Sequence, residues 1–159
     1  MAAEPAADRL GLLFEGAPRF TERLRSLAPQ ATEAELIDRA ETLARDLPEQ
    51  ELVELLNAHP RIGARPGSVS ALSYREQGYD RDPGTAELQS RLDRLNAEYE
   101  RRFGFRFVVF VAGRPRSEIA ALMERQLEAG REHELRRAIG DVIAIARDRL
   151  RRLEQEESG

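Results

Sequence analysis

The sequence predicts an all-α fold, a single-domain helical bundle with one extended apolar segment near residues 103–113. Three observations predict it. Apolar residues recur every three or four positions over most of the chain, the period of a half-buried helix. Residues that start and stop helices stand at the ends of those periodic stretches. Only one stretch, FGFRFVVFVAG from Phe103 to Gly113, has the β-branched and aromatic character of a strand. With 159 residues, the chain is read as one domain over 1–159, long enough to bury a core.

Thr32 opens a capping box with Glu35, and Leu36, Ile37, Ala40, Leu43, Ala44 and Leu47 follow at helical spacing. Pro48 suits the first turn of the next helix, which carries Leu52, Val53, Leu55 and Leu56. That helix must end near Asn57, because a residue that precedes a proline, here Pro60, is pushed out of the α region. Asp82 and Pro83 are expected to open a longer helix with Leu88, Leu92, Leu95 and Tyr99, stopped at Gly104. Ser117 can cap a helix running to Gly130, and a last helix carries Leu135, Ile139, Val142, Ala146 and Leu153. The total is about seven or eight helices at typical lengths. The strand-like segment has no partner of comparable strength. A lone strand leaves its ladder groups unpaired, so it is expected to thread between helices with N–H and C=O groups left to meet something other than a strand.

Composition excludes several function classes. The net charge is −4, from 25 basic and 29 acidic residues, which gives no reason to expect nucleic acid or an anionic membrane. Every basic residue is Arg, so a Schiff-base lysine and a P-loop lysine are both impossible. Without cysteine there is no thiolate nucleophile, disulfide or thiolate metal site. The longest apolar run, Phe107 to Ala112, is too short to span a bilayer, and no secretory signal is visible at the N-terminus. A cytoplasmic protein is expected. The two histidines, His59 and His133, are far apart, which argues against a zinc site; no Gly-rich phosphate loop or nucleophile elbow is present, and no bound-cofactor motif is visible.

Three polar clusters stand out. His59 sits at a helix end, before Pro60 and near Gly63. It can cap the last carbonyls of the helix, or serve as the one side chain that ordinarily titrates near neutral pH. In SYREQ, Ser73, Glu76 and Gln77 share one helix face. Ser-x-x-Glu is also a capping box, which leaves Gln77 without a task; a polar comb lining a pocket uses all three. Arg149 interrupts the stripe formed by Leu135, Ile139, Val142, Ala146 and Leu153. It either snorkels at the bundle edge or aims a guanidinium inward to hold an anion or carbonyl. An apolar residue in its place is expected to leave stability unchanged or raise it.

With these residues in hand, the chain resembles 2-oxo-4-hydroxy-4-carboxy-5-ureidoimidazoline (OHCU) decarboxylase, the last enzyme of the route from urate to allantoin. LLFEGAP, from Leu12 to Pro18, is similar to the family's Phe-Glu-x-x-Pro segment; HPRIG matches its histidine-proline motif; SYREQ matches Ser-x-x-Glu-Gln. LNAEYERRFGFRFVVFVAG, from Leu95, matches its Leu-Asn-x-x-Tyr…Phe-Gly-Phe-x-Phe block, and ARDRL its closing Arg-Leu. After Gln77 comes Gly78-Tyr79-Asp80, where the family often has small residues and an Ala-Gly. The resemblance implies an all-α, cofactor-free decarboxylase whose substrate is OHCU. It makes His59 the catalytic acid/base and Glu76 its acidic partner. Pro60, Ser73, Tyr74, Arg75, Gln77, the segment Val108, Val109, Phe110 and Val111, and Arg149 would hold the substrate, with backbone groups after Phe107 on its ring. Oligomeric state stays open, a homodimer being one option. The alternative is a helical interaction module that keeps the fold without the chemistry.

Overall fold

The computed structural model describes residues 9–65, 69–78 and 84–158, and its regular structure is helical. The helices are α1 (Leu10–Leu13), α2 (Pro18–Leu27), α3 (Glu33–Asp46), α4 (Glu49–Asn57), α5 (Ala71–Glu76), α6 (Ala86–Phe103), α7 (Arg116–Gln126) and α8 (Arg131–Ser158). Among the described residues there is no strand, and no helix long and apolar enough to cross a membrane. The chain divides into two compact units, Met1–Ala58 with Ile139–Gly159, and His59–Ala138.

The first unit holds α1 to α4 and most of α8. The capping box forms: Glu35 N–H donates to Thr32 Oγ1 at 3.2 Å, and Thr32 N–H donates to the Glu35 carboxylate at 3.0 Å. The Thr32 bonds hold the Glu35 carboxyl below its usual range. α4 ends at Asn57 as Pro60 requires, but Pro48 stands just before its first turn, as the N-cap. Leu36, Ile37 and Ala40 of α3, Leu55 and Leu56 of α4, and Val142 and Ala146 of α8 are buried. Phe14 and Phe20 meet edge to face with centroids 5.2 Å apart.

The second unit is built on α6. Thr85 caps this helix through Leu88 N–H, and Gly104, at φ +82, ends it in the left-handed conformation that glycine adopts without strain. Asp82 and Pro83, expected to open α6, lie outside the described residues, as do Tyr79 and Asp80. α7 starts at Arg116 behind Pro115, one residue before the expected Ser117 cap, and ends at Gln126; the chain to Gly130 then closes into tight turns. Pro115 presets the entry backbone, and the buried Arg116 anchors the first turn. The Tyr99 ring packs on Phe103, Phe105 and Phe107 at 4.6, 5.9 and 5.0 Å between centroids.

The extended segment after Gly104 runs without a ladder, as expected. Three of its carbonyls meet side chains instead of a strand, also as expected. Arg137 Nη1 donates to Val108 O at 3.0 Å, and Arg114 donates through Nη2 to Phe110 O at 2.7 Å and through Nε to Val111 O at 3.0 Å. Arginine side chains take the role that a neighbouring strand has in a sheet.

Candidate active site

His59 lies two residues beyond α4 and is 3 % exposed. Its imidazole Nε2 is buried and has no hydrogen bond to a described residue, while the residue keeps other contacts. The loop that follows is held at nearly every peptide. Arg106 Nη1 donates to His59 O at 3.1 Å; Gln77 Nε2 donates to Arg61 O at 3.1 Å; Asn96 Nδ2 donates to Ile62 O at 2.9 Å; Gln89 Nε2 donates to Gly63 O at 2.8 Å. Gly63 N–H in turn donates to Gln77 Oε1 at 2.7 Å. Gly63 stands at φ +79, and a Cβ there would come within 2.8 Å of Leu92 Cδ1, so conformation and space both demand glycine. The loop carrying the histidine is therefore a rigid mount, fixed by amide side chains from α5 and α6.

The SYREQ cluster falls on α5 and its C-cap, but the capping-box reading of Ser73 and Glu76 is overturned. The cap lies one turn earlier: Ser73 N–H donates to Ser70 Oγ at 3.1 Å, and Ser73 is buried inside the helix. Serine at 70 and again at 73 offers two competing starts, and the earlier one wins. Gln77, also buried, has a definite task, tying α5 to the histidine loop. Pro60, Tyr74 and Glu76 are half-buried, and Arg75 is exposed. Val108, Val109 and Val111 are buried and Phe110 is half-buried. Gln77 and Arg106 thus bring α5, the His59 loop and the extended segment to one place in the second unit.

Arg149 belongs to the first unit. It is among the largest fully buried side chains, which excludes the snorkelling reading. Nη1 donates to Leu12 O at 2.7 Å and Nη2 to Glu15 Oε1 at 2.6 Å. Both partners sit in the LLFEGAP segment, and Glu15 adopts a left-handed backbone, φ +54, to offer its carboxylate. The guanidinium aims inward, and in this structure it meets an anion of the chain itself.

Sequence reasoning missed a second buried network. Glu134, on α8, is fully buried; its Oε1 accepts from Tyr99 OH at 2.7 Å and from Arg137 Nε and Nη2 at 2.8 and 2.6 Å. Burial, then the bond to Glu134, pushes the Tyr99 phenol well above its usual range.

The motifs that carried the resemblance are thus placed, and comparison with known proteins decides the family. The family model described as OHCU decarboxylase matches residues 1–151. The chain belongs to the OHCU decarboxylase family. As a family member it is a carboxy-lyase by class. It is 32 % identical over 143 residues to the OHCU decarboxylase of Haloferax volcanii, covering 90 % of this chain and 85 % of that one. It is 29 % identical over 154 residues to the uric acid degradation bifunctional protein PucL of Bacillus subtilis, covering 94 % of this chain and 30 % of that larger protein. Its fold is similar to that of an OHCU decarboxylase crystallised in the presence of (S)-allantoin, with a TM-score of 0.74, 23 % identity, and coverage of 92 % of this chain and 97 % of that one.

Proposed function

We propose that this chain decarboxylates OHCU to (S)-allantoin in urate degradation, without metal or organic cofactor. The observation that carries the reading is the family match, which runs through both units and includes every proposed site residue. On this reading residues 1–159 work as one domain. His59 is the acid/base and Glu76 its acidic partner. Pro60, Ser73, Tyr74, Arg75, Gln77, the backbone from Val108 to Val111, and Arg149 hold the substrate.

The chemistry follows from what the chain contains. Breaking the bond to the carboxylate releases CO2 and leaves an electron pair that needs a sink. With no lysine in the chain, a lysine imine is excluded, and the pair passes into the conjugated C=N and C=O groups of the substrate ring. The protein must then stabilise charge on the ring and deliver one proton to one face. The backbone N–H groups of Val108, Val109 and Val111 make no backbone hydrogen bond among the described residues, which supports a donor role. A histidine on a rigid loop supports delivery of the proton to one face.

The test is stereochemical. OHCU made freshly from urate decays on its own to racemic allantoin. The protein, dialysed against a chelator, is expected to accelerate CO2 release and give an excess of the S enantiomer. Racemic product at the background rate from folded protein would overturn the reading and favour the non-catalytic module; activity that returns only with added metal would overturn the cofactor-free part. Sedimentation and cell fractionation test the two remaining expectations, a homodimer and a cytoplasmic location.

A further inference from the structure

The buried Tyr99–Glu134–Arg137 network has no part in the chemistry above, yet it ends on the segment proposed to touch the substrate. Arg137 is fixed from three sides. Its Nε and Nη2 donate to Glu134 Oε1, its guanidinium lies over the Phe107 ring with 5.1 Å to the centroid, and Nη1 donates to Val108 O at 3.0 Å. Glu134 is itself held by Tyr99 OH at 2.7 Å. The remaining carboxylate oxygen, Glu134 Oε2, is buried with no hydrogen bond among the described residues. A buried carboxylate that leaves an oxygen unmet is a costly way to hold a helix together.

A peptide group is planar, and no cis peptide occurs among the described residues. In a trans peptide the C=O of one residue and the N–H of the next point in opposite directions. Fixing Val108 O toward Arg137 therefore fixes Val109 N–H away from it. The same holds one peptide pair later: Arg114 Nη2 on Phe110 O directs Val111 N–H away from Arg114. Neither N–H makes a backbone hydrogen bond among the described residues.

We propose that Arg137, braced by Glu134 and Tyr99, is a positioning residue that aims the Val109 N–H at the substrate, with Arg114 doing the same for Val111. The inference rests on the functional reading above, in which this backbone stabilises charge developing on the ring. A donor that matters most in the transition state acts on kcat more than on KM.

The experiment is a kinetic cycle on the full chain, using fresh OHCU. Arg137→Lys keeps a charge for Glu134 but lacks the fork that serves the carboxylate and the carbonyl together. Its kcat is expected to fall roughly tenfold to a hundredfold, the range for a charge-assisted hydrogen bond, with KM nearly unchanged. Because Arg137→Met alone leaves Glu134 buried and unneutralised, the pair Glu134→Gln/Arg137→Met keeps a folded version in play, and it should show the same loss. Glu134→Gln should lower kcat when Arg137 is present and add nothing when Arg137 is Met, since it acts through Arg137. A purely structural role would lower the melting temperature of these variants and leave kcat per folded molecule, measured well below it, at the wild-type value; that result overturns the inference alone. A wild-type protein that gives racemic product at the background rate removes the functional reading first, so the two failures are distinguishable.

Discussion

Replacing Arg149 by methionine is the most informative single change. By sequence pattern it restores an apolar stripe and should stabilise. The structure reverses the sign. Arg149 is 1 % exposed, and it neutralises Glu15, whose side chain is only 11 % exposed. Removing one member of a buried ion pair costs about 3–5 kcal/mol, mostly for the charge left behind. Glu15 lies in a short loop and can turn partly to water, which favours the lower figure. Leu12 O also loses its donor, worth about 1 kcal/mol. A net loss of about 4 kcal/mol corresponds to roughly 8–16 °C in melting temperature for a chain of this size. Thermal and urea unfolding of Arg149→Met, and of Glu15→Gln/Arg149→Met, measure it. The double variant removes the stranded charge and should recover all but about 1 kcal/mol. A single variant as stable as the wild type would refute the reasoning, because the ion pair would then contribute nothing.

Three further changes probe the second unit. His59→Asn should abolish most turnover with a modest stability change, and Glu76→Gln should reduce turnover because the amide cannot carry charge; a large fall in melting temperature at an unchanged rate per folded molecule would make His59 a structural residue. Gly63→Ala should cost roughly 1–3 kcal/mol, from the left-handed backbone and the clash with Leu92, and should lower activity with stability; chemical denaturation with parallel assays reads both. Tyr99 carries a raised pKa, so its contribution to stability is complete below about pH 10, its unfolded value, and fades as pH rises toward the higher folded value. Thermal melts above pH 10 should therefore fall faster for the wild type than for Tyr99→Phe; equal slopes would show that Tyr99 is not the titrating group.

What could be read in the sequence was local. The Thr32–Glu35 box, the stop at Gly104 and the end of α4 before Pro60 depend on neighbours within a few residues, and each appears as read. The Ser73 cap failed through local competition, because Ser70 offers the same chemistry one turn earlier. The burial of Arg149 was suggested by its place in the stripe, but its partner Glu15 is 134 residues away and no periodicity points to it. Gln77 was visible as a residue without a task; that task lies in a loop 14 and 16 residues back. The helices α1 and α2 were not predicted: α1 has four residues, too short to show a period. Glu134 and Arg137 drew no reading from the sequence, because their partners Tyr99 and Val108 lie on other elements of the chain.

The arginines along the extended segment change how its geometry is inherited. In a sheet, a strand is registered by the backbone of its neighbour, and backbone atoms are the same whatever the codon. Here Val108, Phe110 and Val111 are registered by Arg137 and Arg114, which are side chains. A single nucleotide change at Arg137 can release the Val108 carbonyl while Arg114 still holds those of Phe110 and Val111. The two ends of the segment can thus vary separately under selection, in small steps and without rebuilding the helices around them.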